Sequence, residues 1–131
     1  MDAVLIRTSR REELVNVTEH VEAAVARSGV REGVAVVWVP HTTAGVTVNE
    51  GADPSVARDL LAALSRLAPV SAGWEHREGN SDAHVKATLV GSSVTIPVHD
   101  GALALGTWQA VFLCEFDGPR QRRLVVSVLG R

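Results

Sequence analysis

The chain has 131 residues, one cysteine, and thirteen basic against fifteen acidic side chains, a formal net charge of −2. That length suits one core and would leave two cores each too small to be stable, while the balanced charge excludes the global positive field that recruits nucleic acid or an anionic membrane. With 46% apolar and 21% charged residues the composition excludes disorder, so one domain over residues 1–131 is expected.

Val4 to Thr8 and Glu13 to Val17 read as short edge strands, joined through the polar Ser9 to Glu12 as a hairpin or bent strand. Asn16 and Glu19 fit a capping box. Val17, Val21, Ala24 and Val25 then recur on one face up to Gly29, which predicts a helix over Thr18 to Ser28. From Gly33 the run Val-Ala-Val-Val-Trp-Val-Pro predicts a strand buried on both faces, and Thr43 to Asn49 a second one meeting it at His41. Asp53-Pro54 signals a helix start, and Val56, Leu60, Leu64 and Leu67 form one stripe that ends before Pro69.

Val70 to His84 reads as a long connection, of the kind that often carries function. Beyond it the runs Val85 to Val90, Ser93 to Val98, Trp108 to Phe116 and Leu124 to Leu129 read as an antiparallel meander, separated by Gly91-Ser92, Asp100-Gly101 and Asp117-Gly118-Pro119. The fold class is therefore α+β, with antiparallel sheets and two main helices covering one face. Trp38 and Trp108 are expected to pack into the core, and Arg120, Arg122 and Arg123 to form a solvated basic turn. Cys114, within Val-Phe-Leu-Cys, behaves as a small buried hydrophobe and favours a reducing compartment. No signal-peptide pattern opens the chain and no window approaches the roughly 18 apolar residues of a membrane span; the expected location is cytoplasmic.

Polar clusters interrupt these apolar runs at His41-Thr42-Thr43, at Asn49-Glu50, from His76 to Lys86, and at Gly106-Thr107-Trp108-Gln109. His41 closes a buried strand, a rigid platform for a ligand. His76 and His84 lie eight apart across a Gly-Asn-Ser turn, and on an extended chain Asp82 and His84 point the same way. Three imidazoles and a carboxylate could thus meet on a divalent metal ion, Zn²⁺ or Mg²⁺/Mn²⁺, with one position left for water or substrate. The spacing matches no standard zinc motif. Gly79-Asn80-Ser81 could instead present amides to a phosphate, with Arg77 and Lys86 supplying charge.

The strings Pro40 to Glu50, His76 to Lys86 and Gly101 to Gln109, continued through Glu115 to Arg120, resemble the secondary thiamine-phosphate synthase family across nearly the whole chain. The resemblance implies antiparallel sheets packed as a sandwich beside the helices, a homotrimer, and a polar histidine site that sometimes holds a metal or anion. It places His41, His76 and His84 at the family's histidine positions, and Glu50, Asp82, Thr107 and Gln109 at its other polar positions.

The expected site therefore has His41, His76 and His84 on the metal, with Glu50, Asp82 and Gln109 as catalytic groups. Thr43, Arg77, Asn80, Ser81, Lys86 and Thr107 would hold the substrate. The expected activity is metal-dependent chemistry on a phosphorylated small molecule, with weak thiamine-phosphate synthase activity by pyrophosphate displacement. A hydrolase using metal-bound water, and a non-catalytic metal- or anion-binding trimer, are the alternatives; neither nucleic acid nor membrane is expected as a partner.

Overall fold

The structure, a computed structural model, describes all residues from Met1 to Arg131. Its elements are β1 (Asp2–Arg7), β2 (Glu13–Asn16), α1 (Thr18–Ser28), β3 (Gly33–Trp38), β4 (Ala44–Glu50), α2 (Pro54–Leu67), α3 (Ser81–Val90), β5 (Ser93–His99), β6 (Ala102–Leu103), β7 (Gln109–Glu115) and β8 (Gln121–Gly130). The strands form a five-stranded sheet in the order β1-β8-β3-β5-β6 and a three-stranded sheet in the order β2-β7-β4, with every pairing antiparallel. The fold is α+β, as the sequence pattern implies.

Alternation along the strands sets the layers. Ile6, Val37, Ile96, Leu124 and Val126 point inward from the large sheet and meet Val46, Val111 and Leu113 of the small one, with Val17, Val21 and Ala24 of the α1 region packed among them. The opposite face of the small sheet, through Cys114 and beyond it Phe116, packs on Ala83 and Ala87 of α3 and on Leu61 and Leu64 of α2. No layer covers the other face of the large sheet, where Leu5, Trp38 and Leu129 stand exposed.

Helix α1 has the expected bounds, ended by Gly29 in the left-handed conformation at φ 70°. Its start differs from a capping box: Asn16 Oδ1 accepts from the Thr18 amide at 3.0 Å, with Val17 in the cap position. Asp53 does cap α2, accepting from the Ser55 amide at 2.9 Å. There are three helices, not two, because Ser81–Val90 is α3 rather than the end of a loop and a strand. Neither a β1–β2 hairpin nor a carboxy-terminal meander forms. β1 and β2 lie in different sheets, and the carboxy-terminal strands are no meander, since β5 pairs with β3, β7 with β2 and β4, and β8 with β1 and β3. Trp38 and Trp108 are 44% and 65% exposed instead of buried, because the outward position in β3 meets no covering layer and Trp108 lies in the turn before β7.

One ion pair ties the two sheets. Glu115 at the end of β7 and Arg122 near the start of β8 are both buried and bonded through Nε, at 2.9 and 3.1 Å, and through Nη2. Burial alone would raise the Glu115 carboxyl, yet Arg122, the Thr8 hydroxyl and the Asp117 amide together hold it below the usual carboxylate range. Arg122 Nη2 also donates to Thr43 Oγ1 at 2.8 Å. This arginine therefore leaves the solvated basic turn in which its sequence neighbours place it. Gly118 lets the β7–β8 turn close over the pair, since a Cβ there would run into the Arg10 carbonyl oxygen.

Arg122→Met leaves the Glu115 carboxylate buried without its counter-ion, and urea unfolding should show a loss of roughly 3–5 kcal/mol. Arg123→Met, one residue further and exposed, should change stability by less than about 0.5 kcal/mol; equal losses would mean that the pair does not join the sheets.

Candidate functional site

Helix α3 is anchored from its inner face. Lys86 is fully buried, and its ammonium donates to Asp82 Oδ2 at 2.8 Å and to Glu12 Oε2 at 2.9 Å, while Arg11 reaches both Asp82 oxygens at 3.0 and 3.2 Å. Desolvation works to raise the Asp82 carboxyl, but Arg11 and Lys86 outweigh it and keep it lowered and ionised. Asp82 and Lys86 stand four residues apart and share the inward face. His84 does not, because a helix turns positions two apart to different sides where an extended chain would align them. Asp82 and Lys86 therefore sit in the interior, occupied with each other.

The outward side of α3 carries His84. It borders a recess of about 370 Å³ whose opposite wall is His41 with Thr42, closed by Thr88, Gly91 and Ser92. Past His84 the surface continues into a shallower hollow, about 300 Å³, with His76, Trp74 and Ser81. The His76 and His84 rings meet edge to face, with centroids 5.4 Å apart. Thus His84 touches both other histidines' surroundings, yet the three do not present their nitrogens to one point.

His41 Nε2 accepts the backbone N–H of Arg123 at 2.8 Å, so in the neutral ring Nδ1 carries the proton and is a donor. Burial, followed by the positive field of Arg122 and, more weakly, of Arg120 and Arg123, pushes the His41 pKa down, against a smaller opposing pull from Glu115. The ring is neutral near pH 7. No carboxylate lines this recess, and the hydroxyls of Thr42 and Ser92 make no bond within the chain. Such a lining offers donors to an anion.

The remaining expected site residues are dispersed. Thr43 is buried beneath His41 and bonded to Arg122, Asn80 donates to Asp117 at 2.9 Å, Ser81 opens α3 at the edge of the His76 hollow, and Arg77 is exposed. Thr107 and Gln109 line a different, larger recess beside α1. Glu50, at the end of β4 near it, caps the Ala52 amide at 2.7 Å. The three metal-type side chains whose ligand atoms do converge, within 4.8 Å, are Glu32, His99 and Asp100. There the Glu32 hydrogen bond, the Glu32 charge and Asp100 raise the His99 pKa, and the cluster lies at the surface. Sequence reading missed Arg11, Glu12, Ser92 and Arg123 as partners of the site. Only the pairing of distant strands brings Arg123 beside His41.

Comparison with known proteins gives one consistent family. The family model described as "UPF0047 protein YjbQ-like" matches residues 2–131. A UPF0047 protein of Methanocaldococcus jannaschii is 53% identical over 95% of this chain and 91% of its own length, and YugU of Bacillus subtilis, also named a UPF0047 protein, is 43% identical over 95% and 96%. A crystal structure of a yjbq/upf0047 family protein from Clostridium acetobutylicum superposes with a TM-score of 0.97 at 46% identity, covering 98% of this chain and 100% of that one. A hypothetical protein of Aeropyrum pernix superposes at 0.94 with 39% identity, over 99% and 98%. These names overturn the resemblance to a thiamine-phosphate synthase family: the family whose model matches carries the UPF0047 description, and the relatives are named UPF0047 proteins, not thiamine-phosphate synthases.

The depressed His41 pKa has a consequence for stability. Above the ordinary value of 6.5 neither folded nor unfolded chain binds this proton. As pH falls through 6.5 the unfolded chain takes it up first, so His41 costs stability progressively down to its lower folded pKa. Urea midpoints measured from pH 8 to pH 5 should fall less for His41→Gln than for the wild type, with the two curves parallel above about pH 7. Curves parallel throughout would show that the ring is not held neutral.

Proposed function

The chain belongs to the YjbQ-like UPF0047 family, and on that premise we propose that it acts on a phosphorylated small molecule bound in the recess between His41 and His84. The observation that carries this reading is the lining itself: two imidazoles and two unengaged hydroxyls, no carboxylate, and arginines 120, 122 and 123 close enough to depress His41. A volume of about 370 Å³ lies within the range of small-ligand sites. His41, locked by the Arg123 amide, donates Nδ1–H to a phosphoryl oxygen. The His84 ring has no hydrogen bond within the chain, which frees it to move a proton to or from the ligand.

A divalent ion, Zn²⁺ or Mg²⁺/Mn²⁺, is the proposed cofactor. The fit is partial. His76 and His84 supply two imidazoles side by side, whereas His41 is committed to Arg123, so ligand oxygens or water would complete the shell. When bound, such an ion would neutralise phosphoryl charge. The alternatives, a hydrolase and a non-catalytic binder, share this recess and differ in turnover.

The protein is further proposed to act as a homotrimer in the cytoplasm. Support for assembly comes from the uncovered face of the large sheet, where Leu5, Trp38 and Leu129 are exposed on a side that also carries Val36 and Pro97; apolar faces of this kind mark interfaces. The reduced, buried Cys114, its thiol pushed up to about 12 by burial, suits a reducing compartment. No helix is long and apolar enough to cross a membrane.

Titration of ¹⁵N-labelled protein with inorganic phosphate should shift the His41 and His84 ring resonances saturably, and His84→Gln should weaken binding at least roughly tenfold, the equivalent of about 1.4 kcal/mol. Phosphate shifts confined to exposed arginines would refute the recess. Release of phosphate from a panel of phosphomonoesters, lost in His84→Gln, separates an enzyme from a binder.

Light scattering at micromolar concentration should give a mass near three chains. Trp38→Glu on the uncovered face should reduce it to one chain with the fold retained by circular dichroism, whereas a wild-type mass of one chain, 13.9 kDa, would remove the assembly.

A further inference from the structure

The largest concavity of the molecule, about 790 Å³, lies away from the histidines and has the opposite chemistry. One wall is the first turns of α1 with Glu19, His20 and Glu22; the other is the turn before β7 with Thr107, Trp108 and Gln109. That turn is rigidly supported. The Gly51 amide donates to the Trp108 carbonyl at 2.9 Å, the Gly106 amide donates to Gln109 Oε1 at 2.8 Å, and Gly51 sits so close to β7 that a Cβ there would come within 2.6 Å of the Ala110 Cβ.

On this support the Trp108 indole is 65% exposed and its N–H has no partner within the chain, unlike Trp74, whose indole donates to the Pro69 carbonyl. A large aromatic face held open by backbone hydrogen bonds is a contact surface rather than core. Independently, Glu19 and Glu22 stand one turn apart on α1, both are exposed, and neither pairs with any cation. No lysine or arginine lines the recess. Its field therefore repels the phosphoryl groups that suit the His41 recess and attracts positive charge.

We infer that this recess binds a small organic cation, a quaternary or methylated ammonium, with its positive centre over the Trp108 indole and facing Glu19 and Glu22. An indole is the best of the aromatic faces for a cation, and methylated ammonium groups gain from it because they lose little hydration on contact. Thr107 and Gln109, the polar pair of the Gly106 to Gln109 motif, lie on the same rim and would orient the ligand's remaining polar groups. The inference stands apart from the phosphate reading, since it shares no lining residue with that recess.

The test uses the whole chain and its three indole N–H resonances, with the Trp108 signal assigned by Trp108→Phe. Choline should shift that signal saturably, while its uncharged isostere 3,3-dimethylbutan-1-ol binds at least tenfold more weakly. Glu19→Gln with Glu22→Gln should weaken choline several-fold and leave the isostere unchanged. Equal binding of the two probes would reduce the recess to an apolar patch and overturn the inference, as would the absence of a shift. A Trp108 signal that moves with protein concentration alone would also overturn it, because a second copy of the chain would then cover the face.

Discussion

A buried carboxylate at the point where two sheets meet constrains the rest of this molecule. Glu115 leaves the small sheet and Arg122 enters the large one seven residues later, and the pair is closed off from solvent with Thr8 and Thr43 on its flanks. Buried charges are tolerated only when every oxygen and proton finds a partner, so this pair dictates where the start of β8, the end of β1 and the His41 loop must lie. The Arg123 amide is next in line along β8. It is this amide that His41 Nε2 accepts, so the orientation of the His41 imidazole follows from the position of the ion pair.

A second buried network does the same for the facing wall. Lys86 and Asp82 hold the inner side of α3 against Arg11 and Glu12 of the β1–β2 connection, and the outer side of the same helix then presents His84 across the recess. Within α3 the side chains thus divide by helical phase, with Asp82 and Lys86 inward and His84 outward. The inward pair fixes the helix's position, and the outward His84 borders the recess. Both walls are rigid because each is tied by ionised hydrogen bonds in a poorly solvated setting, where such bonds are strong.

The two principal recesses differ in sign for a related reason. Around His41 the basic side chains of the β7–β8 turn and β8 gather, and the only nearby carboxylate, Glu115, is spent on Arg122. Beside α1 the carboxylates are unpaired and the basic residues lie elsewhere. A chain of nearly zero net charge can therefore carry recesses of opposite local potential, since what a ligand meets is the local field and not the total.

Composition, hydrophobic period and turn chemistry determined the class of this fold and most of its elements. The Val21, Ala24 and Val25 face and Gly29 give α1, Asp53-Pro54 gives α2, and the β-branched runs give strands whose ends lie close to those read from the sequence. Of the residues that line the His41 recess, His41, Thr42 and His84 are also visible as polar interruptions in apolar runs. Helix α3 was not legible, because its alternation of buried Asp82 and Lys86 with Ala83 and Ala87 carries almost no apolar periodicity, and its inward face is ionic. Which strands pair, why Trp38 and Trp108 stay exposed, and that Asp82 and Lys86 serve structure while His84 meets His41 were decided by tertiary structure alone. The reason is physical: period fixes which way a side chain points from its own backbone, but burial, partners and local potential come from residues brought from seventy or eighty positions away.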